Sequence, residues 1–325
     1  MGKRIRIGVM GTGRIVAQWA RDAAAAEDAE IVAIASRDEE RARQAARKYG
    51  IERAFGSYEA LLEGDLCDAV YIATPHAMHR ECAMLAMRAG KHVLCEKPIA
   101  PNAGQFREMM ACAREQGVLL MEGMWTRFFP ATQEVRRLVQ SGEIGEVRMI
   151  QADFSFETPF ETQTRMFDPK QAGGGLLDIG CYGIHYAMYL YGAAPEQVGG
   201  TAVLGQSGVD EQAVIALQFP GGRMASVACG LRVTLPDTAR IYGAKGSIEV
   251  PGFWHPTGYA LTKDGRTVNH PAQASEGFAH EVRHFCACIR QGRLQSPVIP
   301  HADSLAALEV MDRFRAQIGL KYPFE

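Results

Sequence analysis

A glycine pair between a predicted strand and a predicted helix constrains the fold of this chain more than any other sequence feature. Arg4–Met10 is predicted to be a strand, Gly11-Thr12-Gly13 follows it, and Arg14–Glu27 is predicted to be a helix. Glycine permits the sharp turn and lets the pyrophosphate of a dinucleotide approach the helix N-terminus, where unpaired N–H groups and the helix dipole favour an anion. The third small position of the fingerprint falls on Val16, so a tight turn without a ligand is the alternative.

Strand–helix alternation continues through the first 123 residues. The later predicted strands are short and apolar, namely Ile31–Ser36, Ala69–Ala73, His92–Cys95 and Val118–Met121. Such strands, separated by amphipathic helices, are typical of a parallel sheet that is covered on both faces. Residues 1–123 are therefore predicted to form a doubly wound Rossmann domain, with Asp38 capping the helix that ends at Tyr49.

The pattern changes after Trp125. Residues 124–325 are predicted to form an open, mostly antiparallel sheet that helices cover on one face. The clearest signal is the Pro220-Gly221-Gly222 turn between the predicted strands Gln212–Phe219 and Arg223–Gly230. The predicted fold class is thus α/β followed by α+β, and the C-terminal helix could pack back on the first domain.

Composition excludes several classes of protein. Of the 325 residues, 47% are apolar and 22% are charged, with a net charge of −2 and no long run of one sign. These values favour a globular protein with a small-molecule partner over one that binds nucleic acid or a membrane. Eight cysteines without a CxxC pair favour free thiols in a reducing compartment, and the N-terminus resembles no signal peptide, so we expect a cytoplasmic protein.

The end of the second predicted strand bears on the choice of cofactor. An acid at this position binds the ribose 2′-hydroxyl of NAD and repels a 2′-phosphate. This chain has Ser36-Arg37 there, with Arg41 one helical turn later. Because arginine binds phosphate bidentately, NADP(H) is predicted to be preferred, while NAD(H) stays possible. The alternative is that both arginines are merely solvated beside Asp38.

A lysine follows the predicted strand His92–Cys95, within Glu96-Lys97-Pro98. Together with Gly11-Thr12-Gly13, Ala73-Thr74-Pro75 and the glycine-rich stretch 173–180, this tripeptide resembles the glucose–fructose oxidoreductase / inositol dehydrogenase / rhizopine catabolism (Gfo/Idh/MocA) family over essentially the whole chain. The resemblance implies a nicotinamide-dependent oxidoreductase with Lys97 beside the nicotinamide. It also implies that residues 124–325 bind the substrate and form a homodimer or homotetramer through their sheet.

A tyrosine marks a branch of that family. Many members have histidine four residues after Asp178, whereas this chain has Tyr182. With the segments 124–130 and 165–167, this exchange resembles the branch of dimeric dihydrodiol dehydrogenases, NADP-dependent D-xylose (aldose) 1-dehydrogenases and glucose–fructose oxidoreductase. The implied reaction is oxidation of a sugar or cyclic diol, or the reverse reduction. An NAD-dependent inositol or sugar dehydrogenase of the same family, and a non-enzymatic NADP(H)-binding redox sensor, are the alternatives.

Lys97, Tyr182 and Asp178 are the predicted catalytic residues. Oxidation of an alcohol removes its O–H proton as hydride leaves carbon, and a nearby ammonium stabilises the phenolate that would take this proton. Asp178, four residues before Tyr182, would hold a substrate hydroxyl or orient the pair. The alternative is that Tyr182 is a packed aromatic or a substrate ligand only.

The remaining predicted site residues fall into two groups, and no metal is predicted because the histidines match no ligand template. The predicted cofactor-binding residues are Gly11, Thr12, Gly13, Arg14, Ile15, Ser36, Arg37, Arg41, Thr74, Pro75, His76, His79, Glu96 and Lys97. The predicted substrate-binding residues are Trp125, Arg127, Phe154, Asp178, Ile179, Tyr182, His185, Trp254 and Phe278, whose aromatic members suit the C–H faces of a sugar or cyclic diol.

Overall fold

A six-stranded parallel sheet forms the first of two structural units in the computed structural model, which describes residues 3–160, 164–272 and 276–325. Its strand order is β3-β2-β1-β4-β5-β6, and all neighbouring strands are parallel. The strands are β1 Ile5–Met10, β2 Ala29–Ala35, β3 Arg53–Phe55, β4 Ala69–Ile72, β5 His92–Glu96 and β6 Leu120–Gly123. This is the predicted doubly wound Rossmann sheet, and its order reverses between β1 and β4, where such sheets bind ligands.

The helices of this unit connect successive strands. They are α1 Arg14–Ala23, α2 Glu39–Tyr49, α3 Tyr58–Leu62, α4 His79–Arg88 and α5 Ala103–Gln116, followed late in the chain by α8 Ala279–Arg290. All side chains of β4 are buried, as expected for a strand covered on both faces. Asp38 caps α2 as predicted, since its side chain accepts a hydrogen bond from the Arg41 N–H.

The first unit contains more of the chain than residues 1–123. It comprises Met1–Gly123 and Glu276–His301, so that α8 belongs to it rather than to the domain predicted over 124–325. The reason is that α8 packs with α1 and β2: Phe278 donates its N–H to Asp22, and Arg290 forms an ion pair with Asp28 at 2.5 Å.

The second unit is built on an eight-stranded sheet, and it comprises Met124–Ser275 and Ala302–Glu325. The strand order is β14-β13-β12-β11-β7-β10-β9-β8, and the pairs are antiparallel except for the parallel pair of β7 and β10. The strands are β7 Val147–Ser155, β8 Gln197–Leu204, β9 Asp210–Phe219, β10 Arg223–Gly230, β11 Thr238–Gly243, β12 Gly246–Pro251, β13 Gly258–Lys263 and β14 Arg266–Pro271.

One face of this sheet is buried beneath helices. Along β9, Ala213, Ile215 and Leu217 are buried, whereas Val214 and Ala216 are exposed, as in a half-covered antiparallel sheet. The helices are α6 Pro130–Gln140, α7 Cys181–Tyr191 and α9 His301–Ile318. The mostly antiparallel sheet with helices was predicted, whereas the β13–β14 hairpin was not. None of the described helices has the length and apolar character needed to span a bilayer.

Candidate active site

The glycine turn after β1 has space for an anion. Gly11 has φ +109°, and a Cβ there would lie 2.5 Å from the Ala73 carbonyl oxygen, so the neighbouring strand end requires glycine. A Cβ on Gly13 would make only an ordinary contact of 3.6 Å with the same oxygen. Packing within the protein therefore does not require glycine at position 13. The close approach of a ligand would explain why glycine occupies it.

The start of α1 also suits a phosphate group. Its N-cap is Gly13, with no side-chain cap and no acidic residue in the first turn. The N–H groups there can therefore bind an anion. Gly13 and Arg14 are exposed, and Thr12 and Ile15 are half-buried, so these four predicted cofactor residues are accessible, whereas Gly11 is buried.

Two exposed guanidinium groups lie just after β2. Arg37 and Arg41 form no ion pair with any described residue. Asp38 caps α2 through the Arg41 N–H, Ser36 Oγ accepts the Asp38 N–H at 3.3 Å, and Glu39 and Glu40 follow in the first turn of α2. Arg37 and Arg41 are thus the cationic groups that a 2′-phosphate could bind at this strand end, within a segment that also carries three acids.

The loop that carries Lys97 is held by buried carboxylates. The Lys97 N–H donates to Glu96 Oε2 at 3.2 Å, and the Tyr71 hydroxyl donates to Glu96 Oε1 at 2.6 Å. One residue beyond the cis Lys97–Pro98 peptide, the Ile99 N–H donates to Glu122 Oε1 at 3.1 Å. Lys97 itself is half-buried and directly follows β5, at the sheet edge where ligands bind in such folds. The hydrogen bonds to Glu96 and Glu122 fix the backbone of its loop there.

His79 connects two loops of the same unit. Its ring nitrogens lie 2.8 Å from the Pro98 carbonyl oxygen and 2.9 Å from the Thr74 carbonyl oxygen. His79 therefore fixes the loops after β4 and β5, and its predicted contact with the cofactor stays a prediction. His76 is buried with its ring 5.6 Å from that of His79, and Pro75 precedes it at the carboxyl end of β4.

A third carboxyl group, Glu281 of α8, is buried in the same unit. It is fully inaccessible to solvent, and its two oxygens accept no hydrogen bond from the described residues. Burial, together with the negative charges of Glu96 and Glu122, raises the pKa of Glu281 well above its ordinary value. The folded protein therefore favours the neutral, protonated form of Glu281.

Glu281→Gln is expected to stabilise the protein increasingly as the pH rises. The folded wild type keeps a proton that its unfolded chain releases above the ordinary pKa of 4.5, so this group lowers wild-type stability by up to about 1.4 kcal/mol for each further pH unit. Glutamine removes that linkage. Urea unfolding at pH 5, 6.5 and 8 would show the free-energy difference widening with pH. A difference independent of pH would contradict this, and exposed Glu115→Gln is the control.

In the second unit, the glycine-rich signature forms a π-helical turn, Leu176–Gly180, that leads into α7. Such turns occur frequently at functional sites. Asp178 lies in this turn and Tyr182 in the first turn of α7, and both are buried. Arg165 donates to Asp178 Oδ1 at 2.9 Å, and this charge-assisted hydrogen bond orients the carboxylate.

Tyr182 belongs to an aromatic cluster. The rings of Phe154 and Trp254 are stacked at a centroid distance of 4.7 Å, and the Tyr182 ring lies 5.6 Å from Phe154 and 6.3 Å from Trp254. Trp125 lies 6.0 Å from Trp254, and the backbone there is fixed by a hydrogen bond from Thr126 Oγ1 to the Trp254 carbonyl. Four aromatic residues predicted from separate parts of the sequence are thus brought together.

Other predicted substrate residues have different surroundings. Arg127 is buried in an ion pair with Asp303 at 2.5 Å and donates to His185 Nδ1 at 3.4 Å. Burial and then Arg127 hold the pKa of His185 well below its ordinary value, so this ring is neutral. Ile179 is buried within the π-helical turn, and Phe278 lies buried in the first unit at the start of α8. The structure thus places Arg127 and His185 in a buried ion-pair network of the second unit, and their contact with a substrate stays a prediction.

Two site features were not predicted from the sequence. Arg165 lies in the segment 165–167 that resembles the family, but the sequence does not show its pairing with Asp178, which places it in the site. Glu281 shares the apolar stripe of Phe278, Val282 and Phe285 on α8, and a carboxyl group at such a spacing is the signal that could have identified it. Among the described residues, no group of three or more His, Cys, Asp or Glu side chains could hold a metal ion.

Comparison with known proteins gives consistent matches along the chain. Residues 5–124 match the model of an oxidoreductase family with an NAD-binding Rossmann fold, and residues 132–249 match the GFO/IDH/MocA C-terminal domain. The sequence is 36% identical to trans-1,2-dihydrobenzene-1,2-diol dehydrogenase of Mus musculus over 98% of each chain.

Two solved structures are similar throughout. An aldose-aldose oxidoreductase from Caulobacter crescentus, complexed with glycerol, has a TM-score of 0.88 and 27% identity over 96% of each chain. A 3-ketoreductase from Actinomadura kijaniata, in complex with NADP and TDP-benzene, has a TM-score of 0.86 and 30% identity, covering 97% of this chain and 98% of that one.

Proposed function

This chain belongs to the Gfo/Idh/MocA oxidoreductase family, and we propose that it is an NADP(H)-dependent oxidoreductase acting on a sugar or cyclic diol. The observation that carries the proposal is the position of Lys97 after β5. The glycine turn after β1 and the Ser36-Arg37 pair after β2 lie at the carboxyl ends of parallel strands in the same sheet. Cofactor-binding groups and Lys97 therefore share one edge of that sheet.

NADP(H) would be held by the residues of the first unit. The glycine turn and the start of α1 would bind the pyrophosphate, and Ser36, Arg37 and Arg41 would bind the 2′-phosphate. When bound, the nicotinamide supplies a hydride acceptor or donor at C4. The 3-ketoreductase whose complex contains NADP supports this choice of cofactor.

The protein groups would manage the proton that accompanies hydride transfer. Tyr182 takes the hydroxyl proton during oxidation and returns it during reduction, and Lys97 stabilises negative charge on the reacting oxygen. Asp178, oriented by Arg165, accepts a hydrogen bond from a second substrate hydroxyl. A vicinal diol or a sugar supplies both hydroxyls.

The aromatic cluster favours a ring-shaped substrate. Stacked Phe154 and Trp254 present apolar faces beside the Tyr182 ring, and such faces pack on the C–H groups of sugars and cyclic diols. The dihydrodiol dehydrogenase and aldose-aldose oxidoreductase relatives are named for substrates of these two kinds.

An activity screen with NADP⁺ tests the proposal. Aldoses, inositols and trans-dihydrodiols would each be incubated with the protein while NADPH formation is followed by absorbance. We expect turnover with at least one aldose or dihydrodiol. Tight NADPH binding without turnover on any member would instead favour the redox-sensor alternative.

Trp254→Ala is expected to change substrate preference with little loss of stability. Trp254 is half-buried in the cluster, whereas its neighbour Phe253 is fully buried against Tyr186. Phe253→Ala is therefore the matched control and should cost about 3–5 kcal/mol of unfolding free energy with preference unchanged. Ratios of kcat/KM across the panel and urea unfolding separate the two effects. A destabilised Trp254→Ala with unaltered ratios would remove this ring from the pocket.

Self-association and location complete the proposal. The open face of the eight-stranded sheet exposes Val214, Met224 and Tyr242 on three different strands, and exposed apolar side chains on such a face favour an interface. A homodimer, or a homotetramer built from it, would cover that face. In sedimentation velocity, Val214→Glu should then move as a smaller species than wild type because the oligomer dissociates. All eight cysteines are buried thiols outside any disulfide between described residues, which supports a cytoplasmic location.

A further inference from the structure

The turn Gly173–Gly175, which begins the helical segment carrying Asp178 and Tyr182, rests on a buried carboxylate. Asp210, at the start of β9, is fully inaccessible to solvent, and its Oδ2 accepts the Leu176 N–H at 2.5 Å. A negative charge at the N-terminus of a helical segment stabilises it by binding its unpaired N–H groups.

The carboxylate and the turn are closely fitted to each other. Gly174 has φ +116°, and a Cβ added there would overlap Asp210 Oδ1. The Gly174 N–H donates to the Met166 carbonyl at 2.8 Å, next to Arg165. Any other residue at 174 would therefore be strained and would displace the carboxylate.

The C-terminal segment holds the same turn from another side. The Tyr322 hydroxyl donates to the Gly173 carbonyl oxygen at 2.7 Å, and Tyr322 is buried beneath the guanidinium of Arg315. Arg315 forms two hydrogen bonds of 2.9 Å with the Glu325 carboxylate. This arrangement fixes the turn to α9 and the end of the chain.

A shift of the turn would reach the catalytic residues directly. The Asp178 N–H donates to the Gly174 carbonyl oxygen at 3.3 Å, and Arg165, which precedes the Met166 carbonyl, donates to the Asp178 side chain. Tyr182 follows one turn later on the same helical segment.

We propose that Asp210 is a positioning residue that, in its charged form, holds the Gly173–Gly175 turn and thereby orients Asp178 and Tyr182. This inference rests on the proposed function, in which those two residues act on the substrate. Asp210 does not touch the reacting atoms in this account; it acts through the helix start. A neutral carboxylic acid accepts the Leu176 hydrogen bond more weakly, so protonation of Asp210 loosens the turn.

The charge state of Asp210 changes near neutral pH. Burial raises the pKa of Asp210 to about 7, while the Leu176 and Gly175 N–H groups and Arg315 act in the opposite direction. Two neutral groups also face it, Tyr322 from the C-terminal segment and Cys229 from β10, and burial raises the pKa of each. The charged, turn-holding form of Asp210 therefore predominates only above about pH 7.

The test compares Asp210→Asn with wild type from pH 5.5 to 9. Asparagine keeps the shape of the neutral acid, so kcat at pH 8 should fall about tenfold, as small misplacements of catalytic groups do, with the KM for NADP⁺ unchanged. The rise of kcat near pH 7 should flatten in the variant. Tyr322→Phe, which loosens the turn but keeps the titrating group, should lower kcat and retain the rise. Exposed Glu249→Gln is the control.

Amide hydrogen exchange at Leu176 separates this proposal from the proposed function. We expect a high protection factor for this amide in wild type at pH 8 and a lower one at pH 6 and in Asp210→Asn, with observed rates corrected for base-catalysed intrinsic exchange at each pH, whether or not a substrate is turned over. Equal exchange in both proteins, or an Asp210→Asn profile that matches wild type, would overturn the positioning role. If wild type turns over no substrate, the proposed function fails, and the exchange data alone decide whether Asp210 holds the turn.

Discussion

Tyr182→Phe is expected to lower kcat by roughly 10²–10⁴-fold, the usual size of an acid–base contribution. The substitution removes only the hydroxyl, so the ring contacts with Phe154 and Trp254 remain. Substrate KM should therefore change little. Steady-state kinetics from pH 6 to 10 would show the loss at every pH.

Tyr186→Phe is the matched control, because Tyr186 lies one turn later on α7 and is also buried. Its activity should equal that of wild type. Near-normal rates for Tyr182→Phe would make this tyrosine a packing residue, and another group would have to accept the proton.

Lys97→Met should abolish turnover while leaving NADPH binding nearly intact, since Lys97 acts at the reacting oxygen and the phosphates bind elsewhere.

The fold could be predicted in those regions where local pattern and tertiary structure agree. The alternation through β6 and the Pro220-Gly221-Gly222 turn each have a signal that comes from neighbouring residues. The return of Glu276–His301 to the first unit does not, because it depends on contacts such as that between Arg290 and Asp28, 262 positions apart. The parallel pairing of β7 with β10 is similarly non-local.

The candidate site shows the same division. Lys97, Tyr182 and the aromatic residues lie in recognisable motifs, and the structure groups Phe154, Tyr182 and Trp254 together. The sequence could not tell an arginine that faces a ligand from one that is buried in an ion pair, as Arg127 is with Asp303. Nor could it show that a fully buried aspartate, Asp210, binds the start of the helical segment.

Arg37→Asp is expected to raise the KM for NADP⁺ by roughly 10- to 100-fold, the size of one charge-assisted phosphate contact. The new carboxylate would repel the 2′-phosphate and could accept hydrogen bonds from the ribose of NAD⁺. The KM for NAD⁺ should therefore stay constant or fall. Because the substitution lies far along the sheet edge from Lys97, kcat at saturating cofactor should change little.

The control for this change is Arg47→Asp, which reverses the same charge at the exposed far end of α2. If overall charge governed cofactor binding, both variants would weaken NADP⁺ binding alike, and added salt would reduce both effects. If the end of β2 is the phosphate site, only Arg37→Asp changes the ratio of the two KM values. Equal use of NADP⁺ and NAD⁺ by the wild-type protein would show that Arg37 and Arg41 are solvated surface residues, and the preference for NADP(H) would then be wrong.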